Sequence, residues 1–336
     1  MTETSQDLLR ELLAAVSRSF YLTVRVLPAA VRRPIGLAYL LARATDTIAD
    51  TGVIPVDRRL AALAALNRAI QEGGAAPPEL AELAGGQSLP AERTLLVRIG
   101  EALALLAAAE PADRARIRRV LEIITSGQTL DLRRFGGASA EAPVALATDA
   151  ELDDYTYRVA GCVGEFWTDL CRARLFPDAP LDEALLRERA VRFGKGLQWV
   201  NILRDLPRDL ATGRCYLPRE RLEPLGLTPS ALRDPAVMPR LLPLYGEYLD
   251  VAQAHLAAGW SYTNMLPRRQ VRVRLACAWP VLFGARTLAR LRTANALDPA
   301  RRVKISRREV KALMLQTVLR YPWPTAWQRL FDRARI

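Results

Sequence analysis

Apolar residues recur along this chain at helical spacing. Leu60, Leu63, Ala64 and Ile70 share one side of a helical repeat, and so do Leu95, Leu96, Ile99, Leu103 and Leu106. No segment alternates Val, Ile or Thr with polar residues in the manner of a half-buried strand. The pattern breaks at Pro28, Pro34, Gly73-Gly74 through Pro77-Pro78, Gly85-Gly86, Pro111, Gly136-Gly137, Pro177–Pro180, Gly213–Pro218 and Pro267. The breaks predict about ten helices joined by short turns, with residues 73–90 the most loop-like stretch. No long linker or internal repeat intervenes. The expectation is one all-α domain over residues 1–336, with basic helices from about residue 268 onward belonging to it.

Half of the 336 residues are apolar and a quarter are charged, a globular rather than a disordered composition. Lys and Arg number 48 against 36 Asp and Glu, and only Lys195, Lys304 and Lys311 are lysines. Between Arg268 and Arg308 stand 12 cations and a single acid, Asp298. A basic stretch of this kind suits nucleic acid, an anionic membrane or a phosphorylated substrate, and charge alone does not choose among them. The apolar runs at 35–42 and 275–285 fall short of the roughly 20 residues that span a bilayer. The first residues carry no basic flank or cleavage site, so no signal peptide is expected. Cys162, Cys171, Cys215 and Cys277 lack metal-ligand spacing and read as reduced thiols. With His255 the sole histidine, a multi-His zinc site is excluded.

Candidate chemistry concentrates in three stretches. In RPIGLAYLLARATDTIAD (Arg33–Asp50), Pro34 suits a first helical turn, and Tyr39, Arg43, Asp46 and Asp50 follow one another on one helix face. Carboxylates one turn apart repel by about 0.2–0.5 kcal/mol. An isolated pair is commonly a solvated helix face. Hard cations such as Mg²⁺, however, are held through one or two carboxylates plus substrate phosphate oxygens, which would turn the repulsion to use. In GKGLQWVNILRDLPRDLATGRCYLP (Gly194–Pro218), Gln198, Asn201, Asp205 and Asp209 form a second such stripe beside Arg204, with Gly213-Arg214 following. Pro207 inside this stripe removes the hydrogen bond to Leu203 and predicts a kink that disturbs Asp209. In YTYRVAGCVGEFW, Gly161 and Gly164 sit in a helical pattern and most simply permit close helix packing, while Tyr155, Phe166 and Trp167 suit either core or an apolar cavity wall.

Five motifs now stand in order: SRSF from Ser17, RATDTIAD from Arg43, YTYRVAG-x-VG from Tyr155, QWVNILRD-xxx-D from Gln198 and GRCYLP from Gly213. Together the sequence resembles the squalene and phytoene synthase family from about Ser17 to about Val310. The resemblance implies a single-domain isoprenoid synthase fold, a helical bundle around a central active-site cavity whose two Asp motifs hold Mg²⁺ on the diphosphates of two farnesyl diphosphates. It implies metal roles for Asp46, Asp50, Asp205 and Asp209, with Asn201 beside them. Ser17, Arg18, Arg43, Gln198, Asn201, Arg204 and Arg214 would meet diphosphate, and Tyr155 would assist proton removal.

DTIAD resembles the squalene-forming branch most closely. That branch implies head-to-head condensation through presqualene diphosphate and then reduction to squalene by NADPH. No G-x-G-x-x-G fingerprint accompanies that cofactor; Lys304 and Arg307 in VKISRRE resemble a region that would contact it. The alternatives are phytoene, dehydrosqualene, hydroxysqualene or presqualene diphosphate synthesis without NADPH. From a different class comes a basic helical protein binding nucleic acid or membrane, or a non-catalytic scaffold at the membrane. Nucleic acid is not expected, because neither carboxylate stripe suits it. The expected location is cytoplasmic, with peripheral contact at the inner face of the cell membrane.

Overall fold

A computed structural model describes residues 11–16 and 18–336. Among these residues, 11–16 are helical and fifteen further α-helices follow. They are α1 (Arg18–Val26), α2 (Ala29–Asp50), α3 (Val56–Glu72), α4 (Glu79–Gly85), α5 (Pro90–Val97), α6 (Ile99–Ala107), α7 (Pro111–Arg134), α8 (Asp149–Thr156), α9 (Cys162–Leu175), α10 (Glu183–Ala211), α11 (Arg219–Leu222), α12 (Met238–Met265), α13 (Val271–Leu291), α14 (Arg307–Arg320) and α15 (Pro324–Ala334). A π-helical turn, Tyr157–Gly161, joins α8 to α9. The only strands among the described residues are β1 (Val144–Ala145) and β2 (Arg214–Cys215), which pair in parallel with Val144 opposite Arg214. The all-α expectation holds.

Two compact units emerge, one from Met1–Gly136 with Phe166–Asp178, the other from Gly137–Glu165 with Ala179–Ile336. In the first, α2 packs on α3, α6 and α7, with Leu40, Leu41, Ala44, Ile48, Leu63, Leu66, Ile117 and Leu121 buried. Capping fixes where α7 starts: Pro111 takes its first position, and the Glu110 carboxylate accepts from the amides of Ala112 and Asp113. In the second unit α10 packs along α12, the π-helical turn and α13, and α13 carries α14 and α15. The Asp182 side chain accepts from Leu185 N–H to cap α10, and a Ser306–Glu309 capping box starts α14.

The two glycines of the third motif stretch are there for close approach. A Cβ on Gly164 would lie 2.0 Å from the Ala190 carbonyl oxygen, and one on Gly161 would press on Tyr157, Val191 and Lys195. Gly194 mirrors this from α10, its Cβ position being 2.1 Å from the Ala160 oxygen. Backbone therefore lies against backbone, and any side chain would force α10 away from the π-helical turn and α9. Gly213 ends the α10 segment at φ +83, with the backbone of Ala138 and Ser139 filling the space a Cβ would need. Only glycine meets both demands, and it delivers Arg214 onto β2.

Two local expectations are corrected. Helix α2 starts at Ala29, with Pro28 before it, so Pro34 lies inside the helix rather than in its first turn. The stretch 73–90 contains α4, whose Leu80, Leu83 and Ala84 are buried. Helix α10 runs through Pro207 to Ala211. The carbonyl that Pro207 leaves without its helical donor, that of Leu203, instead accepts a hydrogen bond from the Tyr245 hydroxyl at 3.0 Å. Both residues are fully buried, so the partner comes from α12 rather than from water.

Candidate active site

In the first unit, α2 projects Tyr39, Arg43, Asp46 and Asp50 in successive turns. Twelve of its 22 residues are buried, so one side of the helix is fixed in the core. The Arg43 guanidinium forks between two carboxylates, donating to Asp46 on its own helix and to Glu92 on α5. Asp46 remains 43% exposed and Asp50 is exposed at the helix end. Burial pushes the Tyr39 hydroxyl above its ordinary range, partly opposed by Arg43, so it stays protonated. Arg18 enters only as the first residue of α1, and Ser17 lies outside the described residues.

In the second unit, α10 carries the other stripe. Asn201 donates to Gln198 Oε1 at 3.4 Å, and Gln198 Nε2 donates to Tyr155 Oη at 3.3 Å. Tyr155 is buried and stacked on Tyr216 of the GRCYLP motif, with ring centroids 4.6 Å apart. A hydrogen-bonded row thus runs from the exposed Asn201 to a phenol held in place by a second ring.

One turn further along α10, Asp205 receives two guanidinium groups. Arg204 Nε donates to Oδ1 at 3.0 Å while its Nη2 donates to Oδ2, and Arg302 Nη2 donates to Oδ1 at 2.9 Å. Burial works to raise the Asp205 carboxyl. Hydrogen bonding and charge from Arg204, then Arg302, outweigh burial and hold it below the usual carboxylate range. Asp205 is therefore ionised at neutral pH, as a cation ligand must be. Asp209 stays helical one turn on, partly buried, because α10 passes through Pro207. Arg214 is partly buried on β2.

The donor set suits a hard divalent cation. Each stripe offers carboxylate oxygens one turn apart, and no group of three His, Cys, Asp or Glu among the described residues forms a complete cage. Mg²⁺ matches such a half-site, since it retains waters and takes further oxygens from phosphate. Lys304 and Arg307 are exposed, the former lending only its carbonyl to Arg290 and the latter opening α14, while Ser306 and Glu309 beside them are committed to the capping box.

Glu92, Tyr216 and Arg302 escaped the sequence reading. Glu92 and Arg302 stand 49 and 97 residues from their partners, beyond any helical spacing. Tyr216 was inside a quoted motif, but nothing local marks its ring as a platform for Tyr155. All four cysteines are buried and none forms a disulfide, and burial pushes the Cys162 and Cys215 thiols up to about 12. They take no part in this chemistry.

The signature of the squalene/phytoene synthase family matches residues 13–309. A presqualene diphosphate synthase of Rhodopseudomonas palustris is 32% identical over 265 residues, 77% of this chain and 78% of its own. A presqualene diphosphate synthase of Zymomonas mobilis is 30% identical over 323 residues, 95% of this chain and 94% of its own. The solved structure of TcSQS with a bound ligand matches at a TM-score of 0.78 and 22% identity, covering 99% of this chain and 98% of that one.

Proposed function

The chain belongs to the squalene/phytoene synthase family, and on that premise we propose that it joins two farnesyl diphosphates head to head and releases presqualene diphosphate. The observation that carries this reading is a construction used twice. On α2 and again on α10, two aspartates stand one turn apart, and an arginine of the same helix holds the first of them. Two acidic, arginine-buffered half-sites fit two diphosphates. Magnesium bound at these carboxylates supplies positive charge to the departing pyrophosphate. Arg43, Arg204 and Arg214 add fixed positive charge for the diphosphate oxygens. Tyr155, positioned by Gln198 and the Tyr216 ring, is assigned to the proton that leaves as the cyclopropane closes.

A reductive second step to squalene has less support. Presqualene diphosphate synthases stand among the relatives of 30% identity or more that cover most of the chain. Incubation with farnesyl diphosphate and Mg²⁺ is expected to yield presqualene diphosphate and pyrophosphate in equal amount whether or not NADPH is present. Squalene formed only with NADPH would overturn the product assignment. Absence of pyrophosphate release would overturn the activity.

Among the described residues no helix is long and apolar enough to cross a membrane. Contact with a bilayer surface is proposed instead, through the outward face of α14 and the turn after it. There Leu315, Leu319 and Trp323 are each more than half exposed, in line with exposed Arg308 and Lys311. Apolar side chains beside cations suit an anionic lipid surface, each cation being worth about 1 kcal/mol there. Binding to phosphatidylglycerol vesicles is expected to exceed binding to phosphatidylcholine vesicles, and the pair Arg308→Glu and Lys311→Glu should weaken it at least about tenfold. Equal sedimentation with both vesicle types, or with neither, refutes the contact.

A further inference from the structure

The carboxylate at the centre of the second half-site is already occupied. Arg204 grips Asp205 with two donors from the adjacent position of α10. Arg302 adds a single bond from the extended segment between α13 and α14, where its side chain is 49% exposed against 15% for Asp205. The two contacts differ in how readily they break. A bidentate contact between neighbouring residues costs little ordering. A single bond from an exposed segment is a surface pair of small net worth.

A cation arriving at Asp205 needs Oδ1 or Oδ2, and both already accept from guanidinium N–H groups. One arginine therefore has to give way, and Arg302 is the one held by a single exposed bond. Once released, its charge remains beside the carboxylate on a side chain with solvent around it, next to whatever anion accompanies the cation. Arg302 was not among the arginines that the motif pattern singled out, since it stands beyond every spacing rule.

We propose that Arg302 is a displaceable counter-cation: it neutralises Asp205 while the half-site is empty and transfers to the diphosphate when a diphosphate and its cation bind. The proposal rests on the reading of Asp205 as part of a diphosphate site. It makes Arg302 a substrate-binding residue of a particular kind. Its loss affects the two ligands in opposite directions.

Calorimetric titration of the full chain with Mg²⁺ alone, and with inorganic pyrophosphate in the presence of Mg²⁺, reads this directly. Arg302→Gln removes the competitor for Asp205, so Mg²⁺ alone should bind up to about fivefold more tightly, the scale of an exposed pair. The same variant loses a charge-assisted bond to diphosphate, so pyrophosphate should bind at least about tenfold more weakly. Arg301→Gln is the control, because it deletes the same charge one residue away on a side chain whose partner is Asp298, and it should leave both constants unchanged. Arg302→Lys should recover part of the pyrophosphate affinity. Opposite shifts in Arg302→Gln support the proposal. Shifts in the same direction mark a merely structural contact and overturn it, as does either constant staying at the wild-type value. A wild-type protein that shows no Mg²⁺-dependent pyrophosphate binding overturns the diphosphate-site reading itself, an outcome separate from a variant that binds like wild type.

Discussion

Asp205→Asn is expected to lower turnover of farnesyl diphosphate by about a thousandfold while leaving the helical fold in place. The magnitude follows from what the substitution removes. Electrostatic stabilisation of a departing pyrophosphate through carboxylate-held metal is worth several kcal/mol, and each 1.36 kcal/mol is about tenfold in rate. Asparagine is nearly isosteric, and its amide oxygen still accepts from Arg204, so α10 keeps its local bonding. It cannot carry the negative charge that Arg204 and Arg302 stabilise on Asp205. Asp46→Asn should behave alike, because Arg43 retains Glu92 as a partner and α2 keeps its buried face. Steady-state pyrophosphate release, together with thermal melting followed by circular dichroism, separates the two effects. Turnover within tenfold of wild type in either variant would contradict the metal role. A collapse of the melting transition would mean that the carboxylates support the fold rather than the chemistry.

What the sequence made legible depended on distance along the chain. Spacing within one helix put Tyr39, Arg43, Asp46 and Asp50 on one face, and Gln198, Asn201, Asp205 and Asp209 on another, because helical geometry converts small sequence separations into neighbours. Caps and breakers located several helix ends well. Pro111 opens α7, and Gly213 turns the chain after α10. Glu92 and Arg302 were out of reach, since only tertiary packing brings α5 to α2 and the 301–306 segment to α10. The same limit explains α4: Pro77 and Pro78 mark a break correctly, but the seven-residue helix that follows is held by burial of Leu80 and Leu83, which no breaker rule anticipates. Pro34 misled for a related reason. A proline within the first turns of a helix costs only local bonds, and the apolar face from Val31 onward holds α2 together through it. Product choice was legible only through resemblance, and the presqualene diphosphate synthases among the relatives favour the alternative over squalene.

Tyr245→Phe is expected to destabilise the fold by about 2 kcal/mol, and Pro207→Ala to recover part of that loss. Proline at 207 has no N–H, so the Leu203 carbonyl loses its helical donor. Leu203 is fully buried, and an unsatisfied carbonyl there costs about 1–3 kcal/mol. The Tyr245 hydroxyl meets that need at 3.0 Å from α12, and complete burial raises its pKa, so it remains a donor across the accessible pH range. Phenylalanine keeps the ring and its packing but deletes the donor, which isolates this one bond. In the Tyr245→Phe background, Pro207→Ala supplies a backbone N–H to the same carbonyl. In the wild type the carbonyl is already served, and the substitution gains little while loosening the unfolded chain. The two changes should therefore be coupled by at least about 1 kcal/mol in a double-mutant cycle of chemical unfolding. Additivity would show that the bond does not compensate for the proline. Because Pro207 lies between Asp205 and Asp209, the same cycle followed through pyrophosphate release tests whether Tyr245 holds the carboxylate pair in register. Activity lost in Tyr245→Phe should return with Pro207→Ala if the continuity of α10, rather than the phenol itself, positions the two aspartates.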